Sequence, residues 1–189
     1  MVILARPAAH EVPASRPGRR IRLLNGAGVA QYTRRVGAVA DRAFAGPPWS
    51  QGPSDTRALL GRLGHDAIRP GFTLAVAETA AGVVGFAYGL PARQLAWAAG
   101  HRDAWAPAVP FELRELAVVA DARGLGIGAA LHEAVLGHAG PGPGWLVTHV
   151  LARDPLGLYR SRGWHAMAVI AGPDGEQNRL LMRRPEAQR

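Results

Sequence analysis

Cysteine is absent from the 189-residue chain. That excludes a disulfide framework, a thiolate nucleophile and any zinc or iron–sulfur site with Cys ligands, and it fits a reducing compartment. Lysine is absent as well, so all twenty-two basic residues are Arg, and Asn occurs only at Asn25 and Asn178. This bias reads as the imprint of a GC-rich coding sequence. A Walker-type phosphate loop is excluded, because its Gly-Lys pair cannot be written without lysine. No H-E-x-x-H pattern occurs, and His132 and His138 stand six apart on one predicted helix, which is not a ligand spacing, so no metal is expected. No Ser-His-Asp arrangement can be argued from the spacing either. Apolar runs are short: none reaches membrane-spanning length, and the opening MVILARP is interrupted too soon for a signal core. Arg19-Arg20 is followed by Arg22 and Asn25, which break the apolar stretch that a twin-arginine signal needs. The expectation is a soluble cytoplasmic protein with no membrane partner.

What is abundant is positive charge, a formal +8. Its distribution decides what it means. Residues 1–22 hold five Arg and one acid, residues 179–189 hold four Arg and one acid, and residues 23–178 hold thirteen Arg against twelve acids. The body is nearly neutral, and a nucleic-acid face would need a continuous basic stripe on the fold, so nucleic acid drops to a minor alternative that would use the Arg-rich terminal segments. The length suits one domain with a core of its own. Residues 1–20, rich in Pro, Ala and Arg and without periodicity, read as a flexible leader; residues 21–189 read as the domain.

Along that domain, Ile21 to Leu24 predicts a strand, and Val29 to Ala45 a helix stopped by Gly46-Pro47-Pro48. A second helix starts at Ser54 as its N-cap and ends before Pro70. Phe72 to Thr79 and Val83 to Leu90 form a hairpin around Ala80-Ala81-Gly82. Pro91 to Pro110, with Trp97, His101, Asp103 and Trp105, is a long connection of the kind that usually carries function. Phe111 to Val119 is a strand, Gly126 to His138 an amphipathic helix, and Trp145 to Leu151 a further strand. A short helix capped by Asp154 follows, then strands Trp164 to Ile170 and Gln177 to Met182 around Gly172-Pro173-Asp174-Gly175. The order β-α-α-β-β-β-α-β-α-β-β implies an α/β single domain, a mixed sheet covered by helices.

The stretch FELRELAVVADARGLGIGAALHEAVL reads as strand, glycine turn and helix. Gly124, Gly126 and Gly128 can open backbone conformations closed to other residues, and bare N–H groups there, with the positive end of the helix behind them, suit a phosphate. Arg123 at the rim would add a fixed cation. Gly124, Gly126 and Ala129 also satisfy the loose dinucleotide pattern G-x-G-x-x-G/A, but the turn follows its strand late and too little chain remains for a doubly wound sheet.

Arg123 to Gly128 matches R-x-x-G-x-G. With the ELRELAV strand before it and LYRSRGW at Leu158 to Trp164 after it, the chain resembles the GNAT acetyltransferase superfamily, by element order over residues 21–184 and by motif from Phe111 to Trp164. Ala120 stands where that family often has proline. The resemblance implies an acetyl-CoA donor whose pyrophosphate lies on Arg123, Gly124, Leu125, Gly126, Ile127, Gly128 and Ala129, and whose pantetheine arm lies along Leu116, Ala117 and Val118. It implies Glu112 as the base that deprotonates the acceptor amine, directly or through water, and Tyr159 as the acid that protonates the leaving thiolate. Strand alternation places Glu112 with Arg114, Leu116 and Val118, and Glu115 on the other face; a bulge would reverse that parity, which makes Glu115 the reserve base. A backbone N–H near Leu116 would stabilise the oxyanion. Trp49, Tyr88, Trp97, His101 and Trp105 are the expected acceptor walls, aromatic with modest negative charge, which suits a small-molecule amine. A peptide N-terminus as acceptor, or a catalytically silent acyl-CoA-binding module, stays open, as does a homodimer.

Overall fold

The computed structural model describes residues 10–12, 18–100, 109–140, 142–172, 175 and 178–186. His101, Asp103 and Trp105 lie outside them, as does part of the predicted turn at residues 172–175. The strands are β1 (His10–Val12), β2 (Arg20–Leu24), β3 (Thr73–Thr79), β4 (Gly82–Pro91), β5 (Phe111–Val118), β6 (Gly144–His149), β7 (His165–Ile170) and β8 (Arg179–Arg184). The helices are α1 (Thr33–Phe44), α2 (Pro53–Ala67), α3 (Gln94–Ala98), α4 (Ile127–Leu136) and α5 (Arg153–Arg160). One mixed sheet runs in the order β1-β2-β3-β4-β5-β6-β8-β7, antiparallel throughout except for the β5–β6 pair.

Every predicted element is present, with local shifts that have physical causes. The first helix begins as a 3-10 turn, Gly26–Gln31, before α1 takes over. The second starts two residues earlier than read, with Gly52 as the N-cap in place of Ser54. Pro53 fills the first helical position, where no N–H is missed. The Asp55 carboxylate accepts the Gly52 N–H at 2.8 Å. Likewise Ala152, not Asp154, caps α5. Two short pieces were not predicted: β1, whose backbone pairs with β2 inside the segment read as a leader, and α3, inside the long connection.

Apolar residues dictate the layering. A Cβ on Gly85 of β4 would meet Leu131 of α4, and Gly128 of α4 stands over Leu116 and Val118 of β5. The opposite face takes α2, whose Arg62 and Asp66 reach Glu115 and Arg114. The core of Val36, Leu63, Leu74, Phe86, Leu131 and Met182 fills both sides. A smaller cluster, Ala96, Trp145 and Leu181, seats α3 against β6 and β8.

Two irregularities in β5 position the site. Tyr88 pairs with Glu115 but Gly89 pairs with Leu113, so Arg114 bulges out of the ladder. The parallel pairing with β6 stops at Leu113, so beyond that residue the two strands part and the β6-facing edge of β5 has no ladder partner.

Candidate active site

The gap between the parted strands opens into a cavity of about 780 Å³, within the range of ligand sites. One wall is the backbone of Leu116, Ala117 and Val118; the next is the turn and first residues of α4, contributed by Arg123, Gly124, Gly126, Ile127, Gly128 and Ala129. All the residues that the sequence assigned to binding the donor line this cavity except Leu125, which is exposed. Two further walls complete the cavity. One, not expected from the sequence, comes from the start of α5 and the residues before it, including Leu151, Arg153, Asp154 and Leu158; the other, which includes the expected Trp49, comes from Phe44, Pro47, Pro48 and Trp49 at and after the end of α1.

Gly124 and Gly126 have φ of +73° and +76°, a region costly for residues with a Cβ. With those angles the backbone N–H groups from Gly124 to Ala129 find no backbone acceptor among the described residues. Orphan donors that converge at a helix N-terminus form an anion cradle. Arg123 does more than stand at the rim. Its Nε donates to the Val118 carbonyl at 3.1 Å and its Nη2 to the Ala43 carbonyl at 3.1 Å, so it braces the end of β5 against the end of α1.

The bulge settles the parity question in β5. Across β4, Glu112 faces Leu90 and Glu115 faces Tyr88, two residues of the same face. The expectation that Glu112 shares a face with Leu116 and Val118 is therefore corrected: it shares one with Glu115. The two carboxylates differ in access. Glu112 is 0% exposed; Leu95 N–H donates to its Oε1 at 2.8 Å and Arg114 Nη2 lies 3.1 Å from its Oε2. Burial raises its pKa against the pull of that N–H and of Arg114. Glu115 is partly open, its side chain 23% exposed and paired with Arg62 at 3.2 Å. Burial raises its pKa too, against the Arg62 charge.

Tyr159 packs in a three-ring cluster, its centroid 6.2 Å from His132 and 6.1 Å from Trp164. Burial drives its pKa upward, and the Glu115 charge adds to the effect, so the phenol is neutral. Leu116 and Leu158, the chain neighbours of Glu115 and Tyr159, both line the cavity. Trp164 Nε1 donates to His132 Nε2 at 2.9 Å, which puts the His132 proton on Nδ1. Burial holds the His132 pKa down to about 4.

Of the expected acceptor walls, Trp49 lines the cavity and stacks edge-on with Phe44 and His149. Tyr88 is 1% exposed, its ring tilted against Phe72, so it forms core beneath the site and not a wall. Trp97 is 55% exposed on α3, away from the cavity. Among the described residues no helix is long and apolar enough to cross a membrane, and no group of three His, Asp or Glu is placed to hold a metal.

No protein-family model matches the chain, and no curated protein does. Solved structures do match. A Desulfovibrio desulfuricans protein ascribed to the GNAT family is 16% identical, with 89% of this chain and 99% of that chain covered and a TM-score of 0.62. The ribosomal-protein alanine N-acetyltransferase of Escherichia coli is 16% identical over 90% of this chain and 96% of its own, with a TM-score of 0.61. An aminoglycoside 6′-acetyltransferase of type Ii is also 16% identical, covering 89% and 98% with the same score of 0.61. At such identities what is shared is the architecture: the chain has the GNAT fold.

Proposed function

We propose that this protein is an acyl-CoA-dependent N-acetyltransferase that moves an acetyl group from acetyl-CoA to the amine of a small molecule. The observation that carries the reading is the cavity between β5 and α5, with unpaired backbone N–H groups at one end and an unpartnered strand edge along one wall. A diphosphate suits the N–H groups of residues 124–129. A pantetheine arm, with its two amides, suits the open edge of Leu116 to Val118, where it would add to the sheet as a strand does. Enzymes of this fold, such as the three compared above, carry acetyltransferase names, which supports acetyl as the transferred group.

The chemistry needs three things from the chain. Glu115 takes the proton of the acceptor amine, directly or through one water, because it is the carboxylate of this face that solvent reaches. A β5 backbone N–H near Leu116 donates to the thioester oxygen as it gains charge. Tyr159 gives its proton to the departing thiolate as the C–N bond forms and the C–S bond breaks, and regains one from the solvent-connected carboxylate. Glu112, sealed beneath α3, acts through Arg114 and the Leu95 N–H: it is a positioning residue that holds the bulge and the α3 cover in place.

The face around Glu115 pairs its acids internally, Glu115 with Arg62 and Asp66 with Arg69 and Arg114. Such a surface offers no surplus of negative charge for a polycation, which favours an acceptor with one amine and mixed polarity. The test is free-thiol release from acetyl-CoA across a panel of mono-amines, amino-acid derivatives, peptides and aminoglycosides. Release that depends on a mono-amine is expected; no release with any acceptor would remove the enzymatic reading.

A further inference from the structure

Arg19 lies outside the cavity, yet it holds the glycine turn from behind. Its Nη1 donates to the Leu125 carbonyl oxygen at 3.0 Å, across 106 positions of sequence. The same Nη1 would sit 3.8 Å from a Cβ placed on Gly126, so the guanidinium packs against the turn at residues 125–126, while Arg19 and Leu125 do not line the cavity. Its Nε is buried and has no hydrogen-bond partner among the described residues.

Peptide geometry carries this contact to the inside of the turn. The 125–126 peptide is trans, so the Leu125 carbonyl and the Gly126 N–H lie in one plane and point in opposite directions. Leu125 does not line the cavity and Gly126 does. Holding the carbonyl outward therefore aims the N–H inward. A cationic donor on that oxygen also polarises the peptide and makes its N–H a stronger donor. The charge itself adds to the positive potential of the helix end.

We infer that Arg19 is a positioning residue for the donor's diphosphate, supplied by the segment before β2 and not by the turn that binds it. This rests on reading residues 124–129 as a diphosphate cradle. Arg19 does not touch the ligand; it fixes the direction and strength of a donor that does.

The test is calorimetry on the full chain with three probes: CoA, 3′-dephospho-CoA and S-acetylpantetheine, which lacks the diphosphate, the adenosine and the 3′-phosphate. Arg19→Ala should weaken CoA and 3′-dephospho-CoA by the same factor, about tenfold, the size of one charge-assisted hydrogen bond. S-acetylpantetheine should bind both proteins equally. Arg19→Gln, which keeps a donor and loses the charge, should fall between. Equal CoA affinity in wild type and Arg19→Ala would overturn the inference. So would a loss shared by S-acetylpantetheine, which would make Arg19 a general fold contact, or a loss confined to CoA, which would make it a ligand of the 3′-phosphate. No CoA affinity in the wild type would instead overturn the cradle reading itself.

Discussion

Tyr159 and Glu115 divide the proposed proton work, and each leaves its own kinetic signature. Tyr159→Phe keeps the ring that packs on His132 and Trp164 and removes only the hydroxyl. Steady-state thiol release should fall by about 10²- to 10⁴-fold with CoA affinity unchanged. A base must be ionised to act, so the rate should decline as pH drops through the raised pKa of Glu115, and that acid limb should disappear in Glu115→Gln. Glu112→Gln should keep the limb and lose stability instead, since its amide would set a donor against Arg114 in a buried site. His132 gives a prediction of opposite kind. Its pKa is near 4 when folded against about 6.5 unfolded. The unfolded state therefore binds the extra proton, and stability present above pH 6.5 is lost as pH falls toward 4, by an amount on the order of 3 kcal/mol. Urea titrations at pH 7.5 and 4.5 should show that loss in the wild type and a smaller one in His132→Gln. At this scale the donor residues were legible, because R-x-x-G-x-G names positions whose backbone angles and charge are their function. The face of Glu112 was not, because a bulge at Arg114 depends on registry with β4, which lies outside the strand's own sequence.

Elements place those residues, and β5 shows how. Its ladder with β4 continues to Val118 while its pairing with β6 ends at Leu113, and the cavity is the consequence of that difference. The glycine turn then reverses the chain into α4 in very few residues, which requires φ of +76° at Gly126. Gly126→Ala should cost about 1–2 kcal/mol in thermal or urea unfolding, the ordinary cost of a left-handed residue with a Cβ. CoA affinity should drop with it, because relaxing the strain turns the N–H away; a variant with wild-type affinity would show that this angle is not needed. The long helices and strands were readable from periodicity and from the Gly and Pro that end them. The start of α2 was misplaced by two residues since Ser54 competes with Pro53 for the signal, and Pro fits the first helical turn. β1 and α3 carry three and five residues, too few for any period to show, and exist through contacts with β2 and with β6 and β8.

At the scale of the whole molecule, sequence order and layer order together bring a strand edge, a helix N-terminus and the short helix α5 around one cavity. Fold class was legible because that order is unusual: a meander, a crossover helix and a final hairpin leave few ways to close a mixed sheet. The acceptor side was less legible, since its walls come from loops and chain ends, where Trp49 lines the cavity while Tyr88 and Trp97 do not. Everything proposed for the protein depends on the N–H groups of residues 124–129 donating to a diphosphate. Amide NMR of the labelled chain titrated with CoA reads those groups one by one. The amide resonances of Gly124, Gly126 and Gly128 should move downfield together and saturate at one equivalent. Resonances that stay in place at those three glycines while CoA is added in excess would contradict the diphosphate reading.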